Sequence, residues 1–206
     1  SRLLERATQL SDARGGGSLT ALPIVETQER DLAAYVPTNL ISITDGQIVL
    51  APELFRLGQL PAVDVGLSVS RVGGKAQRPA YRAVAGGLRL DYAQFEELER
   101  FARLGAELDA STSGTLARGE RVREVLKQGD LEVVPVIEQI AVLLATNEGL
   151  LDGVPVARVA EVERAIREQA SLGLADVGAR IESGEKLSDD DTEAVRGLVR
   201  SVIGMG

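Results

Sequence analysis

The sequence predicts an α/β region up to residue 77, followed by an all-α region over 78–206. Three observations predict it. Before residue 78, short apolar runs alternate with turn residues. After it, apolar residues recur at helical spacing almost throughout. The composition, 44% hydrophobic but only 3% aromatic, calls for an aliphatic core of Leu, Val, Ile and Ala. A chain of 206 residues is long enough for one large domain or two small ones.

Each element has its own signal. Leu3, Leu4, Ala7 and Leu10 recur at helical spacing, so SRLLERATQL predicts a short amphipathic helix. SDARGGGS breaks it, and SLTALPIVET follows as an apolar run of strand length. NLISITDGQIVL reads as strand, turn, strand, with Asp45-Gly46 as the turn. AVDVGLSV reads as a buried strand. Runs apolar on both faces suit a parallel sheet covered by helices. These strands are too few to complete such a sheet, so the first region reads as one end of a larger α/β domain. QRPAYRAVAGGLRLDYAQFEELERFARLG predicts one or two helices, weakened at Gly86-Gly87. Pro135 opens a helix whose face carries Ile137, Ile140, Ala141 and Leu144. Pro155 opens another, with Val159, Val162 and Ile166 on one face. Ser188 and the aspartates 189–191 suit the start of a last helix through VRGLVRSVIG.

Composition excludes several chemistries. With no Cys, disulfides and thiolate metal sites are ruled out, which fits a reducing compartment. With no His, the commonest general base and every Ser-His triad are gone. A formal charge of −8 argues against nonspecific nucleic-acid binding. No apolar run approaches the ~20 residues of a membrane span. The initial Ser and the lone Met at position 205 suit a fragment, although removal of an initiator Met leaves the same mark.

Few residues are candidates for chemistry. Gly15–Gly17 lack the Lys of a phosphate-binding G-x-x-x-x-G-K-[ST] loop and read as a connection. Gly73-Gly74-Lys75 is followed by Ala76 and preceded by Val69 where the first glycine belongs, so it reads as a tight turn before a helix. Asp45 reads as a turn former, and Glu107 and Asp109 as solvated carboxylates. Asp189, Asp190 and Asp191 lack the spacing of a calcium loop. Arg71, in GLSVSRVGGKAQ, has a default reading as a solvated charge. A guanidinium at the carboxyl end of a strand in an open α/β sheet nevertheless lies on the ligand side. It is planar, always charged and suited to phosphate. With no phosphate loop in the chain, that phosphate would be held elsewhere, which describes an arginine finger supplied in trans.

GGGSLTALPIVETQERDLAAYVPTNLISITDGQIVL and VGLSVSRVGGKAQ closely resemble the alpha subunits of rotary F-type ATP synthases. The similarity runs on through VAGGLRLDYAQFEELERFARLGAELDAST and EVLKQG and weakens over the last fifty or so residues. LPAVDVG has some flavour of the related beta subunit, but PTNLISITDGQI and SVSRVGGKAQ look like alpha. The resemblance implies the end of a RecA-like nucleotide-binding domain (1–77) and the helical C-terminal domain (78–206). It implies that the N-terminal barrel and phosphate loop of the family lie outside this chain. Arg71 matches the family's arginine finger, which reaches the γ-phosphate held by a neighbouring beta subunit. Ser68 is implied to matter for cooperation between catalytic sites, and Val69 and Ser42 match positions lining that interface. Gln128 and Pro61 match positions near the adenine of alpha's own noncatalytic nucleotide, and Asp130 replaces a second Gln there. Leu60 stands where many members carry Arg before the proline. These two departures bear on the noncatalytic pocket's affinity and base preference, not on the catalytic interface.

The implied cofactor is ATP or ADP with Mg²⁺, whose phosphate and metal ligands lie outside this chain; no metal ligand is assigned within it. The implied partners are beta subunits in an alternating hexamer, the central gamma rotor, which GAELDAST is expected to face, and the peripheral stalk. Nucleic acid is not a partner. The expected location is peripheral, on the cytoplasmic face of the bacterial inner membrane, with membrane contact only through the complex. Alone, the chain is expected not to hydrolyse ATP. Two other readings stay open. One is a stand-alone helical interaction module with a small α/β cap, for which a stable monomer that ignores beta subunits is the discriminator. The other is an alpha-like subunit of a secretion or flagellar ATPase, against which ISITDGQ and VGGKAQ argue by resemblance alone.

Overall fold

The computed structural model describes residues 2–103 and 110–204. Its first part is built from small pieces. β1 (Thr8–Gln9) pairs antiparallel with β2 (Ser18–Leu19). Helix α1 (Tyr35–Ile43) leads into β3 (Gly46–Leu50), then α2 (Pro52–Arg56), then β4 (Val63–Ser70). β3 and β4 are antiparallel, with an irregularity between Gln47 and Val49. A 3-10 turn at Gly73–Lys75 closes the segment ahead of the next helix, as the glycines predict.

Four expectations for this part are corrected. Residues 2–10 hold a 3-10 turn at Leu4–Arg6 followed by β1, all at the surface or half-buried, so their helical spacing faces no core within this chain. In SLTALPIVET only Ser18–Leu19 is strand, and Leu22 and Ile24 stand fully outward. NLISI belongs to helix α1, not to a strand. Its alternating Ile-Ser-Ile-Thr pattern mimics a strand, but Pro37 lies in the first turn, where no intrahelical N–H is needed. Finally, among the described residues both strand pairs are antiparallel, and β4 is half-exposed rather than buried on both faces.

From residue 79 the chain is helical: α3 (Pro79–Ala85), α4 (Leu88–Arg103), α5 (Ala110–Val125), α6 (Val136–Asn147), α7 (Val156–Gly173), α8 (Ala175–Glu182) and α9 (Asp189–Gly204). The break between α3 and α4 falls at Gly86-Gly87. α6 is the hub, in contact with α3, α5, α7, α8 and α9. Ile137, Ile140, Ala141 and Leu144 on α6 and Val159, Val162 and Ile166 on α7 are all buried, the faces their spacing predicts. Val195 and Val199 of α9 complete the same core. α9 starts with a reciprocal cap: Ser188 Oγ accepts the Asp191 N–H at 3.0 Å, and the Asp191 carboxylate accepts the Ser188 N–H at 3.1 Å. Hydrogen bonding from Ser188, aided by the Arg180 guanidinium, holds Asp191 below the usual carboxylate range.

A second, smaller cluster sits between α4 and α5. Tyr92, Phe95 and Val122 are buried there, and Val65 of β4 packs on them. α5 approaches α4 so closely that a Cβ on Gly119 would lie 2.0 Å from the Phe95 ring, so any side chain there clashes. Arg123 lies 4.6 Å over the same ring and forms a two-point pair with Glu99 at 2.8 and 2.6 Å. Burial raises the Tyr92 hydroxyl above its ordinary pKa.

Candidate functional site

The residues after β4 are placed by hydrogen bonds more than by packing. β4 bulges at 65–68 opposite Ile48. Ser68 is the pin of that bulge: its Oγ accepts the Val49 N–H at 3.0 Å and donates to the Asp64 carbonyl at 2.6 Å. The Asp64 carboxylate accepts the Leu67 N–H at 2.8 Å. Arg89, at the start of α4, donates to the Ser68 carbonyl at 3.0 Å. A bulge re-aims the residues that follow it, here Val69, Ser70 and Arg71.

Arg71 leaves the strand with its N–H bonded to the Asp45 carbonyl at 2.8 Å. The guanidinium then turns onto the end of α1, donating from Nη1 to the Ser42 carbonyl at 3.0 Å and from Nη2 to the Ile41 carbonyl at 2.7 Å. Those carbonyls are orphans of the last helical turn, where the macrodipole favours a cation. The approach needs Gly46, where a Cβ would lie 2.3 Å from the Val69 carbonyl oxygen. Arg71 is exposed, and among the described residues no carboxylate pairs with it. Two of its five N–H groups are engaged, so the remaining edge can meet an anion.

The structure thus brings together Arg71, Ser42, Ser68 and Val69. The roles within that group differ. Ser42 contributes its carbonyl, while its hydroxyl donates to Asn39 at 2.7 Å within its own helix. Ser68 supports the backbone, and Val69 presents a 43% exposed side chain beside the arginine.

Gln128, Pro61 and Asp130 lie at a second place. The Gln128 N–H donates to the Leu60 carbonyl at 2.8 Å, which joins the 58–61 loop to the turn after α5. Gln128 and Leu60, with Lys127, Glu132, Glu163 and Arg167, line an open cavity of about 280 Å³. Pro61 follows Leu60 at the surface, and Asp130 is exposed on the turn itself. Its lining mixes the cations Lys127, Arg164 and Arg167 with the carboxylates Glu124, Glu132 and Glu163. Burial raises Glu163, whereas the Gly129 N–H and the Arg167 guanidinium lower Glu132. Among the described residues there is no group of three or more Asp or Glu side chains placed together to hold a metal ion. Glu107 and Asp109 lie outside the described residues.

Sequence reasoning missed Arg89, Glu132 and Arg167. Arg167 had one visible signal, Glu163 four residues before it on a helix face. Nothing local marked Glu132, which acts on an element 35 residues away.

Two family matches cover nearly all of the chain. Residues 77–202 match the ATP synthase alpha/beta chain, C terminal domain, and residues 1–70 match the ATP synthase alpha/beta family, nucleotide-binding domain. The chain is 62% identical over 200 residues to ATP synthase subunit alpha 2 of Albidiferax ferrireducens, covering 97% of this chain and 38% of the relative. It is 58% identical over 203 residues to ATP synthase subunit alpha 1 of Shewanella frigidimarina, covering 98% and 39%. It is 54% identical over 203 residues to ATP synthase subunit alpha 1 of Rhodopirellula baltica, covering 98% and 40%. The chain therefore spans 38–40% of the length of these relatives.

Proposed function

The chain belongs to the ATP synthase alpha/beta family, and from that premise we propose that its Arg71 completes a catalytic site on a neighbouring beta subunit. On this reading, residues 1–77 end the nucleotide-binding domain and residues 78–206 form the helical C-terminal domain. The complete protein is an alpha subunit alternating with beta subunits around a gamma rotor and held by a peripheral stalk. It works in ATP synthesis and hydrolysis coupled to proton transport, on the cytoplasmic face of a bacterial inner membrane. No described helix is long and apolar enough to cross a membrane. On the proposed reading, contact with the bilayer runs through other subunits.

One observation carries the reading. Arg71 is an exposed guanidinium without a carboxylate partner among the described residues, aimed by the bulge of β4 and by the end of α1. During phosphoryl transfer, negative charge spreads over the oxygens of the group in flight. A guanidinium already bonded on one edge reaches them with its other edge and needs little reorganisation. Ser68 and the Ser42 carbonyl act by holding it there. The nucleotide supplies the phosphoryl group, and the beta subunit supplies its phosphate loop and Mg²⁺. Gln128, with Pro61 and Asp130 beside it, borders the base of alpha's own noncatalytic nucleotide.

The test is Arg71→Ala in the assembled complex. Steady-state hydrolysis should fall by about 10³-fold or more, with alpha-beta assembly unchanged on gel filtration. Normal turnover by the assembled variant would sink the assignment.

A further inference from the structure

We propose that Arg167 is a positioning residue for Gln128, acting through Glu132 to hold the turn after α5 in shape. The functional consequence rests on the noncatalytic-nucleotide reading of Gln128 given above. The hold itself does not.

The turn needs an external support. Residues 129–132 form a tight reversal, with the Glu132 N–H donating to the Gly129 carbonyl at 3.2 Å. Leu131 sits in it at φ 61°, a left-handed conformation unfavourable for a leucine. Its side chain stands fully in solvent, so no packing compensates. Besides the Gln128 N–H bond to the Leu60 carbonyl, the described hydrogen bonds of the turn pass through Glu132. The Gln128 side-chain amide donates to the Glu132 carbonyl, and Glu132 Oε2 accepts the Gly129 N–H at 2.9 Å.

Glu132 would be a mobile surface side chain if nothing held it. Arg167 holds it, with Nη1 to Glu132 Oε1 at 2.6 Å. Arg167 is itself fixed from two more directions, by Glu138 of α6 at 3.0 Å and Glu163 of α7 at 3.4 Å. Its neighbour Ile166 is fully buried in the main core. A lone exposed ion pair orders little, but one cation fixed by carboxylates from three elements is a network with a defined geometry. The chain of support therefore runs from the packed core through α7 and Arg167 to Glu132, and from Glu132 to the side chain of Gln128. Both ends of that chain, Gln128 and Arg167, line the same cavity. A purely structural Arg167 would be satisfied by Glu138 and Glu163 alone. The third contact, across to the turn, is the one that leads to Gln128.

The experiment uses the full-length subunit in its assembled complex, with ATP as the probe. Four single variants are compared: Arg167→Met, Glu132→Gln, Glu138→Gln and Gln128→Ala. Glu132→Gln keeps one acceptor oxygen, enough for the Gly129 N–H, and removes the charge-assisted bond to Arg167. Two quantities are read: amide hydrogen exchange over residues 128–132, and the dissociation constant for ATP at the noncatalytic sites. Arg167→Met and Glu132→Gln should each speed exchange by about tenfold and weaken ATP by about tenfold, the order of one lost charge-assisted hydrogen bond. Their double variant should be no worse than the larger single change, because both cut the same link. Glu138→Gln, which weakens one of the other supports of Arg167, should shift both readouts in the same direction but by less than Arg167→Met does.

Unchanged exchange in Arg167→Met overturns the proposal, whatever ATP does. So does an additive double variant. So does faster exchange with normal ATP binding in Arg167→Met when Gln128→Ala weakens ATP. Faster exchange with ATP indifferent to both Arg167→Met and Gln128→Ala supports the hold and overturns the nucleotide reading of Gln128 instead.

Discussion

The two parts of the molecule solve the problem of position differently. In the first part of this chain, which spans 38–40% of its relatives' length, large apolar side chains have no cover within the chain: Ile24 is 99% exposed, Leu22 84% and Tyr35 82%. Placement there comes from hydrogen bonds, as at Ser68, Asp64 and Arg71. In the second, Ile140, Val159 and Ile166 are fully enclosed, and placement comes from packing around α6. The contrast teaches where substitutions should be felt. Apolar truncation should wound the helical part, and polar truncation should wound the site.

The largest effect on stability should separate the two parts outright. Ile140→Ala removes a fully buried side chain from the hub helix and should cost about 2–5 kcal/mol in urea unfolding of the chain. The same change at Ile24 should stay within about 0.5 kcal/mol. Equal losses at the two sites would erase the comparison. A smaller effect should follow from the one place where the helical part also relies on polar groups. Ser188→Ala breaks the reciprocal cap of α9 and should cost about 1 kcal/mol near neutral pH. The sign of its pH dependence follows from Asp191, whose folded pKa is depressed chiefly by Ser188. That stabilisation is complete above the unfolded value of about 3.9 and is lost as pH falls through the lower folded value. Ser188→Ala should therefore show a flatter loss of stability below about pH 4 than the parent in acid titrations followed by circular dichroism.

What was legible in the sequence follows the same division. The helical part could be read because packing leaves a period: Ile137, Ile140, Ala141 and Leu144 mark the buried face of α6 without knowledge of any partner. Pro135, Pro155 and Ser188 fell beside helix starts for local reasons of their own. α1 was misread because its C-terminal carbonyls are satisfied by an arginine some 30 residues away, and no local pattern reports that. Residues 2–10 were misread because their helical spacing meets no core within this chain. The place of Arg71 at a strand end beside Gly73-Gly74 was legible; its role as an arginine finger is the proposal above. Gln128, Pro61 and Asp130 came only through the family resemblance. Glu132 and Arg167 were not legible, since a loop carboxylate and a helical arginine acquire meaning only when the fold sets them 2.6 Å apart.

The most direct measurement compares a ground state with a mimic of the transferring phosphoryl group. ADP with aluminium fluoride and ATP would each be bound to assembled complexes carrying either Arg71 or Arg71→Ala. A group that acts on charge developing in flight should favour the mimic selectively. The account predicts that Arg71→Ala weakens the aluminium fluoride complex by about 10³-fold or more while ATP affinity changes by only about threefold. Equal affinities of parent and variant for the mimic would contradict it and leave Arg71 as a cap on helix α1 alone.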